Sequence, residues 1–290
     1  MVVDEASRFC VAEYRDYLVY KLLAKREKED RVKRVLEKLA DDELAHYHFW
    51  SRLAGNCKPR VNRLWLWSML FVRRLFGLTF TLKLLERGEI NTIKAYRGIL
   101  EQLPPKDRSV LEKIIQDEEE HEQQLIKSID EKLVSYLGFI ALGLSDAIVE
   151  LMGVYTGFLG ATSRAIVAGV AGLIVGISAA VSMASAAYVQ AKHEMGKSPK
   201  FSALTTGLAY IVAVIALSTP YLLQLPIIVA FASSLLLATL LVATLTFYMS
   251  VVRETSFRRE FVETLAVVYL TIAIAFVIGK LLGEMFGITL

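Results

Sequence analysis

The chain has 290 residues, 54% of them hydrophobic and 22% charged, with a formal net charge of +3. So small a positive excess gives no electrostatic footprint for nucleic acid, and no nucleic-acid partner is expected. Two cysteines, Cys10 and Cys57, without a CxxC exclude a disulfide framework and any zinc or rubredoxin-type site with four cysteine ligands.

The charge is unevenly placed. Residues 1–132 hold 25 of the 33 Lys and Arg and 23 of the 30 Asp and Glu. Two compositions imply two solvents, hence a polar domain over 1–132 and an apolar one over 133–290. The opening "MVVDEASRFC" lacks the apolar run of a signal peptide, so the first domain is expected in the cytoplasm.

The first predicted helix, residues 4–26, gathers Phe9, Tyr20 and Leu23 on one face, with Glu13 and Asp16 on that face too. The second, 28–54, carries Val32, Leu36, Leu39, Trp50 and Leu53 in a stripe interrupted by Glu43 and His46, while His48 lies on the outside. "VNRLWLWSMLFVRRLFGLTF" follows. It is apolar and Trp-rich but broken by Arg63, Arg73 and Arg74, which does not suit a span; it fits a segment lying at a membrane interface, with a dimer interface as the alternative. The third helix, 78–102, surrounds Glu89 with Leu82, Leu85, Ile93, Tyr96 and Leu100. In the fourth, 106–133, Leu111, Ile114, Leu125 and Ile129 share a face with Glu118 and His121, whereas Glu119 and Glu120 point to solvent. No Pro or Gly lies between Asp107 and Gly138, so this helix is expected to continue into the apolar domain.

The order is therefore Glu13, Glu43-x-x-His46, Glu89, Glu118-x-x-His121. This is the ligand set of carboxylate-bridged di-iron and di-manganese four-helix bundles. Two divalent ions a few ångströms apart need bridging anionic oxygens, and each takes an imidazole as a neutral ligand. Without a metal, that many carboxylates in one core would repel one another, and each would cost several kcal/mol to bury.

Five apolar segments follow, near 134–160, 165–190, 202–223, 226–252 and 261–283, each long enough to cross a bilayer. Lys192, Lys197, Lys200 and Arg253, Arg258, Arg259 sit in alternate connections, and the opposite connections offer only Arg164. The basic loops are expected in the cytoplasm, with the C-terminus across the membrane. Asp146 and Glu150 share a face in the first span, with no Lys or Arg at comparable depth. Ionisable groups there cost at least about 2.5 kcal/mol and mark ion paths. Met152 and Met183 offer soft thioether contacts to a transition metal, and Gly172, Gly176, Ala180 and Ala184 give the second span a smooth packing face.

Residues 1–132 resemble a ferritin-like domain of the rubrerythrin type, with all six ligand positions matched. "RGEINTIKAY" departs from that family at Thr92, where a second glutamate commonly stands. Residues 133–290 resemble the vacuolar iron transporter family through "LGLSDAIVELMGVYTG" and "AAVSMASAAYVQAKHE". That resemblance implies dimeric export of Fe2+ or Mn2+ from the cytoplasm against protons, with Asp146 and Met183 on the metal path. It also implies that the first domain gathers metal, since the loop at 188–201 is too short for the glutamate-rich insertion of eukaryotic members. The fusion resembles bacterial membrane-bound ferritins. The reading is all-α: a ferritin-like bundle with a di-iron or di-manganese centre, then a five-span bundle in the lipid bilayer exporting metal as a homodimer. The alternative is a membrane-anchored di-iron oxidase or peroxidase.

Overall fold

The computed structural model describes residues 2–55, 57–128, 132–161 and 164–285. Among them there are helices and no strands. The chain forms two compact units, Met1–Glu131 and Lys132–Leu290.

The first unit contains α1 (Val2–Ala24), α2 (Asp30–Leu53), α3 (Arg63–Phe76), α4 (Leu78–Glu86), α5 (Glu89–Leu100) and α6 (Pro105–Ser128). Pro105 opens α6, where its fixed φ suits the helix and its missing N–H is no loss. Asn62 caps α3 by accepting the Leu64 N–H at 2.9 Å. Gly77 joins α3 to α4 at φ +90°, a conformation that strains any residue with a Cβ. The single third helix expected over 78–102 is instead α4 and α5, parted at Arg87 and Gly88. Both residues keep helical dihedrals, so the chain is interrupted there without reversing; Gly88 is a poor helix former.

Two apolar layers fill this unit. One contains Tyr20, Leu23, Leu36, Leu39 and Leu82; the other contains Cys10, Trp50, Tyr96, Leu111 and Ile114. On α1, α2 and α6 the buried polar residues Glu13, Glu43, His46, Glu118 and His121 adjoin these layers, so a polar slab forms within the apolar core.

Cys10 and Cys57 are disulfide-bonded, with their Cα atoms 6.6 Å apart. A count of two excludes a framework but not a single bridge. The bond ties α1, one turn before Glu13, to the segment after α2 across 47 residues of sequence. By the chain-entropy relation, a loop of that length stabilises the fold by about 4 kcal/mol. Urea unfolding of the Cys10→Ala/Cys57→Ala double variant should show a loss of that order. An unchanged midpoint would mean the bridge constrains nothing.

The second unit contains α7 (Lys132–Ser135), α8 (Leu137–Ala161), α9 (Ala165–Lys192), α10 (Pro199–Leu222), α11 (Ile227–Val252) and α12 (Phe257–Met285). The last five are long and apolar enough to cross a membrane. The expectation of one helix through 107–138 falls partly on residues 129–131, which lie outside the described residues. Small residues set the packing. A Cβ on Gly176 would meet Val214 at 2.6 Å, one on Gly172 would strike the Tyr155 hydroxyl, and one on Gly143 the Thr206 carbonyl. α8, α9 and α10 thus approach more closely than larger side chains permit.

Candidate metal centre

Glu13, Glu43, His46 and Glu118 each present a ligand atom within 4.8 Å of the others, and all four are buried. Their arrangement is more specific than proximity. Glu43 directs Oε2 to His46 Nδ1 at 3.6 Å and Oε1 to His121 Nδ1 at 3.6 Å. Glu118 does the same, with Oε1 at 3.0 Å from His46 Nδ1 and Oε2 at 3.5 Å from His121 Nδ1. Each carboxylate therefore divides its oxygens between two imidazoles whose rings stack 5.9 Å apart. Glu13 Oε2 joins the His46 side at 3.8 Å. Glu89 starts α5, but its side chain lies outside the described residues.

Glu43 Oε1, His46 Nδ1, Glu118 Oε2 and His121 Nδ1 are buried without a hydrogen-bond partner. Buried polar atoms in folded proteins are almost always bonded. Four such atoms facing one another fit divalent ions, and their oxygen and nitrogen chemistry fits iron or manganese. Residues 7–129 match the rubrerythrin family model. Neither a curated protein nor a solved structure matches the chain. The buried Glu and His cluster of this rubrerythrin-type domain accords with the di-iron centre that the family suggests.

Periodicity missed two residues. Asp42 Oδ2 lies 3.2 Å from His121 Nε2, and Asp117 Oδ2 lies 3.7 Å from His46 Nε2. Asp42 thus hydrogen-bonds the imidazole of the opposite helix and leaves its Nδ1 facing inward, the arrangement that orients metal-binding histidines; Asp117 stands in the equivalent place beside His46, beyond hydrogen-bond distance. Tyr96 donates to Glu13 from α5. Thr92 donates its hydroxyl to the Gly88 carbonyl at 3.3 Å.

With protons alone in the site, burial pushes Glu43 well above the carboxylate range, and the charges of Glu118 and Glu13 add to this. Burial opposes the charged forms of Glu118 and the histidines, but their mutual contacts prevail. Glu118 falls to about 2, His121 rises to about 10, and His46 is also raised. Burial likewise raises Asp16, one turn from Glu13, to about 7. The Glu118–His121 pairing supports the metal-free domain fully between pH 4.5 and 6.5; the Glu118 part is lost as pH falls through about 2, and the His121 part as pH rises through about 10. Glu43 and both imidazoles give up these protons when metal binds, so loading at pH 7 should release about three protons per chain. Calorimetry in buffers of different ionisation enthalpy measures this; loading without proton release would show the imidazoles already neutral and Glu43 already ionised.

In the second unit Asp146 and Glu150 of α8 and Ser178, Ser182 and Met183 of α9 line one recess of about 750 Å³. The Tyr210 hydroxyl donates to Glu150, a contact that residue spacing did not reveal. Met152 lies elsewhere. Six residues from Asp146, it falls about 120° around the helix, and its fully buried side chain belongs to the apolar core. Met152 is therefore not among the residues that line this recess.

Proposed function

We propose that the chain exports Fe2+ or Mn2+ across a lipid bilayer and that its rubrerythrin-type domain holds two metal ions and gathers the ion to be moved. The observation that carries this reading is the recess itself. It sets two carboxylates, two hydroxyls and a thioether together at the middle of apolar helices. An anchor has no need of ionisable groups at that depth, which are costly there and mark ion pathways.

Asp146 is exposed on this chain and the recess is bounded by α8 and α9 alone. A path for an ion needs a second wall, and a second copy across a two-fold axis supplies it, which favours a homodimer. The resident centre, when filled, supplies iron oxidation or redox sensing. Around it Asp42 orients the His121 imidazole, and Tyr96 holds Glu13.

The basic loops favour a cytoplasmic first unit. The Cys10–Cys57 bridge points the other way, because disulfides persist mainly in oxidising compartments. Protease digestion of right-side-out and inverted vesicles decides: cleavage of the first unit only in inverted vesicles places it in the cytoplasm.

Release at the far side follows from protonation of Asp146 or Glu150, which weakens the anionic site as the ion leaves. Liposomes holding both a metal-quenched dye and a pH dye test this coupling. Inward metal flux should alkalinise the lumen and accelerate when the lumen starts acidic. Flux indifferent to the gradient would refute proton exchange and leave a simple channel.

A further inference from the structure

α3 turns outward an apolar face that nothing among the described residues covers. Its inner face belongs to the bundle: Trp65, Leu66, Met69 and Leu70 pack against the layer around Tyr20 and Leu36. Arg73 is held at 2.6 Å by Glu27 and also donates to the Leu23 carbonyl. The outer face presents Leu64, Trp67, Phe71 and Leu75, each at least 60% exposed. Spaced three, four and four residues apart, they form one stripe along the helix. Single exposed apolar residues are normal on a surface; four large ones in line mark an interaction site.

The charge around the stripe indicates the partner. From Cys57 to Leu85 the sequence has six basic residues and no acidic one, although charges are nearly balanced over residues 1–132. Arg63 and Arg74 are exposed on α3, and the Arg26 guanidinium lies 5.6 Å from the centre of the Trp67 ring. A second copy meeting this face across a two-fold axis would bring like charges together. An anionic lipid surface has the complementary sign. At 1.5 Å per residue, the 14 residues of α3 cover about 21 Å, too short to span, so the helix lies along the surface.

We propose that the outer face of α3 docks on an anionic lipid surface, with Leu64, Trp67, Phe71 and Leu75 in the headgroup boundary and the arginines at phosphate level. This goes beyond the transport reading and stands whether or not the chain moves ions. Five apolar helices in the same chain hold the surface close, so the contact needs little affinity of its own.

The sequence supplies its own probe. The three tryptophans, Trp50, Trp65 and Trp67, all lie in the first unit, so tryptophan emission reports nothing from the apolar helices. The full chain is placed in nanodiscs of phosphatidylglycerol brominated near the top of the acyl chain, with unbrominated discs as reference. Bromine should quench the emission. Trp67→Phe should remove most of the quenching, Trp65→Phe should leave it, and exchange for phosphatidylcholine should weaken it. Unquenched emission from chains that co-elute with the discs would overturn the proposal while sparing the membrane reading. Chains that fail to enter discs would overturn both. Trp67 shielded from aqueous acrylamide but untouched by bromine would assign the face to a second copy instead.

Discussion

Glu118→Gln is expected to strip the first unit of both metal ions, whereas Glu13→Gln removes one. The difference comes from how the oxygens are divided. Glu118 faces His46 with Oε1 and His121 with Oε2, so both halves of the centre lose an anionic ligand at once. Glu13 approaches His46 through Oε2. Removing one charged member of a buried cluster costs about 3 kcal/mol, on the order of a hundredfold in affinity for each half it serves. Metal content per chain after Mn2+ loading and desalting reads the result. Two ions retained by Glu118→Gln would contradict a shared carboxylate. Glutamine keeps the side chain's volume, and helicity by circular dichroism controls for the fold.

Much of this centre was legible because helical periodicity makes a buried charge conspicuous. Glu13, Glu43, His46, Glu118 and His121 interrupt apolar stripes that would otherwise be continuous, and all five are buried as that pattern requires. Asp42 and Asp117 were not legible in this way. Each sits one residue before its glutamate, about 100° off the stripe, and a single-helix reading assigns it to solvent. The signal was the repeat itself: Asp-Glu-x-x-His occurs at 42–46 and again at 117–121. Tyr96 and Tyr210 were hidden for another reason. Their rings serve apolar faces, and only the structure shows that their hydroxyls reach Glu13 and Glu150. The Cys10–Cys57 bridge joins positions 47 residues apart, a pairing that spacing alone does not fix. Met152 was singled out for its chemistry, and the structure places its side chain in the apolar core and not in the recess.

Asp146→Asn carries the second large effect. It should lower ion flux on the order of a hundredfold, because about 3 kcal/mol of ion stabilisation is lost with the charge. Asparagine has nearly the same shape, so the helix and the recess with Ser178, Ser182 and Met183 should persist. The metal content of the first unit should not change, which separates a blocked path from a misfolded chain. Glu150→Gln should be milder, since glutamine can still accept from the Tyr210 hydroxyl. Flux undiminished in Asp146→Asn would remove Asp146 from the path, whatever the rest of the recess does.

The most direct measurement follows metal entry and O2 consumption together, in liposomes carrying the wild-type chain and a metal-quenched dye. With Fe2+ outside, rapid quenching that outpaces any O2 uptake, and that recurs with Mn2+, is the result the transport account predicts. O2 consumed with Fe2+ while the dye stays bright for both ions would contradict it, leaving a di-iron oxidase held at the membrane by five helices.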